Sequence, residues 1–200
     1  MISKNKKHII IEVILVLIIL IQAVAIYFLY SRLKNDYLKD GLKMMSYLGC
    51  PEKYNFITDY LNKGEYKDYI ALGEYLAKDG YEDKLLFTGL GSAYFITGNE
   101  RKAAEYLEES LSAGYACEVA KPHYAETNDL AEAITRYRLS EIYSLLGEKE
   151  KADKEYEKAH SIAKRMYSDK YNRDTVDKYF KFSSIVELRK RILNKKEKSS

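Results

Sequence analysis

The chain has 200 residues and a mass of 23.3 kDa, room for one soluble domain and one membrane segment but not for two full globular domains. Apolar residues make up 46%, enough for a core; 2 Pro and 10 Gly point to helices, and 2 Cys exclude a disulfide framework. The net charge of +3 divides into +4 over residues 1–34, +5 over residues 181–200 and −6 between them, which leaves no basic stripe and excludes nucleic acid as a partner.

Residues 1–8 form a basic N-terminus with Lys4, Lys6 and Lys7. Residues 13–30, VILVLIILIQAVAIYFLY, carry no charge. With Ile9, Ile10 and Ile11 the apolar run over 9–30 reaches the ~20 residues that a helix needs to span a bilayer. Tyr27 and Tyr30 stand at its end, where amphipathic rings prefer the interface. A signal peptide cleaved after Ala23-Val24-Ala25 competes with this reading. The apolar run continues past that site, so the expectation is an uncleaved single-pass anchor in the cell membrane. A short basic N-terminus stays in the cytosol, which places the C-terminal domain on the extracytoplasmic side. Glu12 is expected at headgroup depth near His8. Gln22 is open between a tolerated polar residue and a contact for helix–helix association, hence for a homo-oligomer.

Within residues 31–49, Leu38, Leu42, Met45 and Leu48 have helical spacing, which predicts an amphipathic linker helix. An internal repeat follows. Residues 87–107, FTGLGSAYFITGNERKAAEYL, place Leu90, Gly91, Tyr94, Gly98, Ala103, Leu107 and Ser110 at offsets that return as Leu139, Ser140, Tyr143, Gly147, Ala152, Tyr156 and Ala159. Tyr60 and Gly64 lie 34 residues before Tyr94 and Gly98, and Tyr143 and Gly147 lie 49 residues after them, one period plus 15 residues. The earliest copy carries Ile57, Tyr69 and Leu76 at positions that are small elsewhere, and its second helix fits an offset of 31 as well as 34.

This pattern resembles the tetratricopeptide repeat, an aromatic residue, Leu-Gly and Tyr followed by Ala and a large apolar residue. The resemblance implies an all-α fold: about three helical hairpins stacked into a solenoid over residues 50–166, with repeats at 50–83, 84–117 and 133–166. Small residues at the helix crossings and a positive-φ Gly after each first helix are the physical content of the pattern. Residues 118–132 are read as an insertion: Pro122 breaks a helix, and Thr127, Asn128 and Asp129 offer a new start before Leu130. Residues 167–200 are read as one capping helix, with Val176, Tyr179, Phe182, Ile185, Val186, Leu188 and Ile192 on its apolar side, and a basic tail.

Catalytic and metal-binding constellations are missing. There is no Walker loop, HExxH, CxxC or EF-hand loop, so no enzyme activity, metal or cofactor is expected. Cys117, His123 and Glu126 lie close in sequence without a ligand spacing, and His160, among Lys and Glu, reads as a surface residue. Cys50 and Cys117 fall too far apart in a stack of hairpins for a bridge. The 20 Tyr exceed what packing needs; a binding face and a compositional habit both account for them.

By the resemblance, the first helix of each hairpin lines a concave groove for a protein partner. The outward residues would be Tyr54, Thr58, Leu61 and Asn62, then Thr88, Ser92 and Phe95, then Tyr137, Arg138 and Glu141. Thr58, Ser92 and Glu141 stand where some relatives clamp a peptide carboxylate with Lys and Asn, so that clamp is not expected. The function implied is a membrane-anchored interaction module, a scaffold, chaperone or assembly factor that takes a peptide or helix in its groove. The alternative is a structural membrane protein acting through self-association of its anchor and repeats.

Overall fold

A computed structural model describes residues 15–29, 32, 58–115 and 125–197. The chain forms two compact units, residues 1–48 and 49–200. In the first, residues 15–29 form helix α1, with its side chains exposed. Its 15 residues measure about 22 Å. Among the described residues no helix is long and apolar enough to cross a membrane. The rest of the expected span, residues 9–14 and 30, lies outside the described residues, as does the expected linker helix apart from helical Arg32.

The second unit is helical throughout, with no strand among the described residues. Its order is α2 (58–63), α3 (Tyr66–Lys78), α4 (Lys84–Thr97), α5 (Glu100–Ser112), α6 (Ala125–Leu145), α7 (Lys149–Tyr167), a 3-10 turn (Ser168–Lys170), α8 (Arg173–Phe182) and α9 (Ile185–Glu197). From α3 to α7 each helix packs on the next.

One closure recurs at the end of the first helix of each hairpin, and Gly80 repeats it after α3. Gly64, Gly98 and Gly147 have φ of 77°, 92° and 77°, a region that costs Gly no Cβ clash. Their amides donate to the carbonyls of Leu61, Phe95 and Ser144 at 3.1, 3.2 and 3.2 Å. The next amides, of Glu65, Asn99 and Glu148, donate to Tyr60, Tyr94 and Tyr143, each at 2.9 Å. The carbonyls left over at the end of each first helix are thereby satisfied. Gly64 to Tyr66 thus aligns with Gly98 to Glu100, so the second helix of the earliest copy follows the 34-residue offset.

That offset puts Tyr69 where the next copy has Ala103. Tyr69 is nevertheless 1% exposed, because α4 presents Gly89 to it. A Cβ at Gly89 would stand 1.9 Å from the Tyr69 hydroxyl oxygen. Gly91 gives Leu107 the same kind of room: a Cβ there would meet Leu107 Cγ at 2.6 Å and the Ala103 carbonyl at 3.0 Å. The Gly89-Leu90-Gly91 stretch is therefore a packing surface inside α4.

Two cores result. One joins Phe95, Ala103, Leu107, Leu139, Ile142 and Tyr143 across α4, α5 and α6 and takes Ile185 of α9. The other joins Ala133, Ala159, Ile162 and Ala163 of the last hairpin to Val176 and Phe180 of α8. α6 begins at Ala125, earlier than the start expected before Leu130, so part of the expected insertion is helix. The single C-terminal helix expected over 173–193 is two helices, broken at Ser183 and Ser184. The reason is local: the Ser183 amide turns back onto the carbonyls of Tyr179 and Phe180 to close α8, and Ser184 caps α9 through Glu187 N. α8 covers the last hairpin, whereas α9 lies on α4 and α6.

Candidate functional site

The first helices of the last two hairpins, α4 and α6, share a face, and α9 rests on it. Six contacts hold α9 there. Glu141 accepts the Ser184 hydroxyl at 2.5 Å and the Ile185 amide at 3.0 Å, a carboxylate placed at a helix N-terminus. Arg138 Nε donates to the Ser183 carbonyl at 3.2 Å. Ile185 is fully buried in the core formed by Phe95 and Ile142. Arg189 lies over the Phe95 ring at 5.2 Å and pairs with Glu100 at 2.6 Å.

Burial raises the Glu141 carboxyl above its usual range against the hydrogen bonds from Ser184 and Ile185 and the nearby Arg138 charge. Arg138 is pushed below its ordinary value by burial. The Arg189 hydrogen bond holds Glu100 below the usual carboxylate range. Tyr137, on the same face, stacks on Phe180 at 5.0 Å, and burial raises its hydroxyl to about 12.

These positions revise the expected groove. Tyr137, Arg138 and Glu141 share one face, and they contact the chain's own α8, the break at Ser183 and α9. Two residues expected to face outward do not. Ser92 is 8% exposed, and its hydroxyl donates to the Thr88 carbonyl within α4. Phe95 is 1% exposed, beneath Arg189. The physical reason for Phe95 is that α9 covers it. Thr88 is half-buried and donates to the Lys84 carbonyl. Thr58, Leu61 and Asn62 sit on α2, with Asn62 exposed; Tyr54 lies outside the described residues.

A second constellation repeats between hairpins. The Tyr94 hydroxyl donates to Glu74, and the Tyr143 hydroxyl donates to Glu108. Lys102 lies 4.8 Å from the Tyr94 ring centre, and Lys151 lies 5.0 Å from that of Tyr143. Lys102 also donates to Glu74 at 2.7 Å. Burial works to raise the Glu74 carboxyl, but the hydrogen bonds from Lys102 and Tyr94 outweigh it and hold the group below the usual range. Burial raises the Tyr106 hydroxyl beside it to about 12. Each unit joins one hairpin to the next through a tyrosine hydroxyl and a carboxylate; Lys102 reinforces the first by reaching Glu74, whereas Lys151 pairs with Glu148 at 2.7 Å within its own hairpin.

His160 is a correction. It was expected at the surface and is 3% exposed, because α8 and the 3-10 turn fold over it. Nδ1 lies 2.8 Å from the Tyr171 hydroxyl and Nε2 lies 2.8 Å from Asp177, with Tyr156 and Phe180 around the ring. Among the described residues no His, Cys, Asp or Glu group could hold a metal ion. Cys50, Cys117 and His123 lie outside the described residues, and so does the side chain of Glu126.

The sequence reading missed Glu100, Ser184, Ile185 and Arg189 as groove residues. A signal was present for two of them: Ser184-Ile185-Val186-Glu187 has the spacing of a capping box, which starts a new helix there.

Stacked hairpins of one repeating design, joined by the same tyrosine–carboxylate bond and presenting first helices on a shared face, define a helical-repeat interaction module. The family model of the tetratricopeptide repeat matches residues 86–113 and 133–165. Those two matched segments are the hairpins that α4–α5 and α6–α7 form. The earlier hairpin, α2–α3, shares their Gly closure outside the matched segments. No curated protein matches the chain.

Proposed function

We propose that this protein is a membrane-anchored scaffold or assembly factor. It tethers its repeat domain through residues 9–30, single-pass, and binds a peptide or helix of a protein partner on the face of α2, α4 and α6. The observation that carries the binding reading is the occupation of this face by an amphipathic helix, α9. The uncharged run 13–30 supports the anchor, and the basic N-terminus supports an extracytoplasmic domain.

Three measurements test this. A photo-crosslinking residue at Asn62 or Ser144, both exposed, should capture a discrete partner in native membranes. The same residue at Lys154 on α7, also exposed, should not. Protease added to intact cells should degrade the repeat domain. Release of the whole chain from membranes by carbonate washing would refute the anchor.

A further inference from the structure

We propose that α9 is a built-in ligand of the repeat groove, and that the partner is a helix carrying the same recognition pattern: an N-cap Ser, two aliphatic residues and, five positions after the Ser, an Arg. In this chain the pattern is Ser184, Ile185, Val186 and Arg189. The inference rests on the groove reading above and adds the class of ligand and its control.

α9 has the attributes of a ligand more than of a wall. It brings its own start signal: the Ser184 hydroxyl accepts the Glu187 amide at 3.2 Å. It follows a two-residue break, so it can leave the groove without unseating α8. α8 is held separately by buried Val176 and Phe180 and by Asp177, which accepts from Tyr156 at 2.7 Å. Away from the groove α9 exposes Lys190 and Arg191, and Leu193, one turn beyond Arg189, is exposed as well. Thirteen residues make too short a helix to persist well in water alone, so its order depends on the groove.

The groove reads α9 at two separate points. Glu141 receives the helix N-terminus through Ser184 and Ile185, and Glu100 with Phe95 receives Arg189 five residues later. Ile185 fills the apolar site between them. Charge is complementary: segment 185–197 carries five bases against Glu187 and Glu197, and the groove meets it with Glu100 and Glu141. A groove occupied by its own ligand binds an external one more weakly by the fraction of time it stands open. The partner must therefore compete with α9, and whatever draws α9 away opens the site.

A charge exchange tests this in the full-length chain, held in detergent micelles. The probes are labelled synthetic peptides of residues 183–197, one natural and one carrying Arg189→Glu, read by fluorescence anisotropy. Glu100→Arg repels the chain's own Arg189 and should free the groove. The Glu100→Arg protein should bind the Arg189→Glu peptide about ten-fold or more tighter than the unaltered protein does, and tighter than it binds the natural peptide. A second variant, Arg189→Glu in the full chain, keeps Glu100 and should bind the natural peptide about ten-fold tighter than the unaltered protein. Circular dichroism checks that both variants keep their helices. Two folded variants that bind neither peptide better than the unaltered protein would overturn the proposal. If they fail while a partner still crosslinks at Asn62 or Ser144, the groove reading stands and the α9 proposal alone falls.

Discussion

Tyr69 shows how a single side chain decides helix separation. A residue of its size stands where the next copy has Ala103, and the fold keeps the helices close by removing a side chain opposite, at Gly89. Gly89→Ala should cost about 2 kcal/mol in urea unfolding, because the added methyl has no space and Tyr69 is walled in. Combining it with Tyr69→Leu should recover part of that loss, and purely additive losses would show that the two residues are not coupled. Glu74 acts through charge. Its carboxyl ionises more readily in the folded chain than at the ordinary value of 4.5. The stability it supplies is therefore complete above that value and is lost as pH falls through the lower folded value. Glu74→Gln should cost about 1–2 kcal/mol at neutral pH, with the difference from the unaltered chain shrinking below about pH 4. A constant difference across that range would show that ionisation plays no part.

At the scale of the element, helix ends explain more than helix interiors. Asp83 is almost fully buried, and its carboxylate accepts the amides of Leu85 and Leu86 at 2.9 and 3.0 Å, which starts α4. Asp83→Ala should lower stability by about 1 kcal/mol, read by thermal melting, whereas Asp83→Asn should retain most of it. The Gly closures do the opposite task and stop α2, α4 and the α6 hairpin turn at equivalent places. The break at Ser183 and Ser184 is of the same kind. A helix carried through it would hold Ile185 in line with α8 and away from Phe95.

Across the whole repeat unit, the contact between the two matched repeats sets cooperativity. The Tyr143 hydroxyl donates from α6 to Glu108 on α5, and Arg101 pairs with Glu148 across the same junction. Nearest-neighbour coupling of this kind makes stacked repeats unfold together. Tyr143→Phe removes one such bond and leaves a carboxylate facing a ring. It should cost about 1 kcal/mol and broaden the denaturant transition. A transition of unchanged slope and midpoint would count against a clamp at this junction. α9 adds a longer reach, since Arg189 to Glu100 ties the C-terminal helix to the start of α5.

The sequence by itself determined the periodic part of this protein. Tyr60, Tyr94 and Tyr143, and Gly64, Gly98 and Gly147, are local requirements of one hairpin repeated, so spacing alone exposes them. The clamps were not legible: Glu74 and Glu108 stand 34 residues apart, but spacing does not say that each accepts a tyrosine hydroxyl from the next hairpin. Only the tertiary structure decided which groove residues are covered. Phe95 and Glu141 meet their partners from α9 across gaps of roughly ninety and forty residues, and no local pattern encodes so distant a pairing. His160 has the same history: charged neighbours made it look exposed, and α8, folding back from later in the chain, buried it. Periodicity reports what each helix does to its neighbour. Burial depends on which segment arrives last, and that is settled by competition among apolar faces over the whole unit.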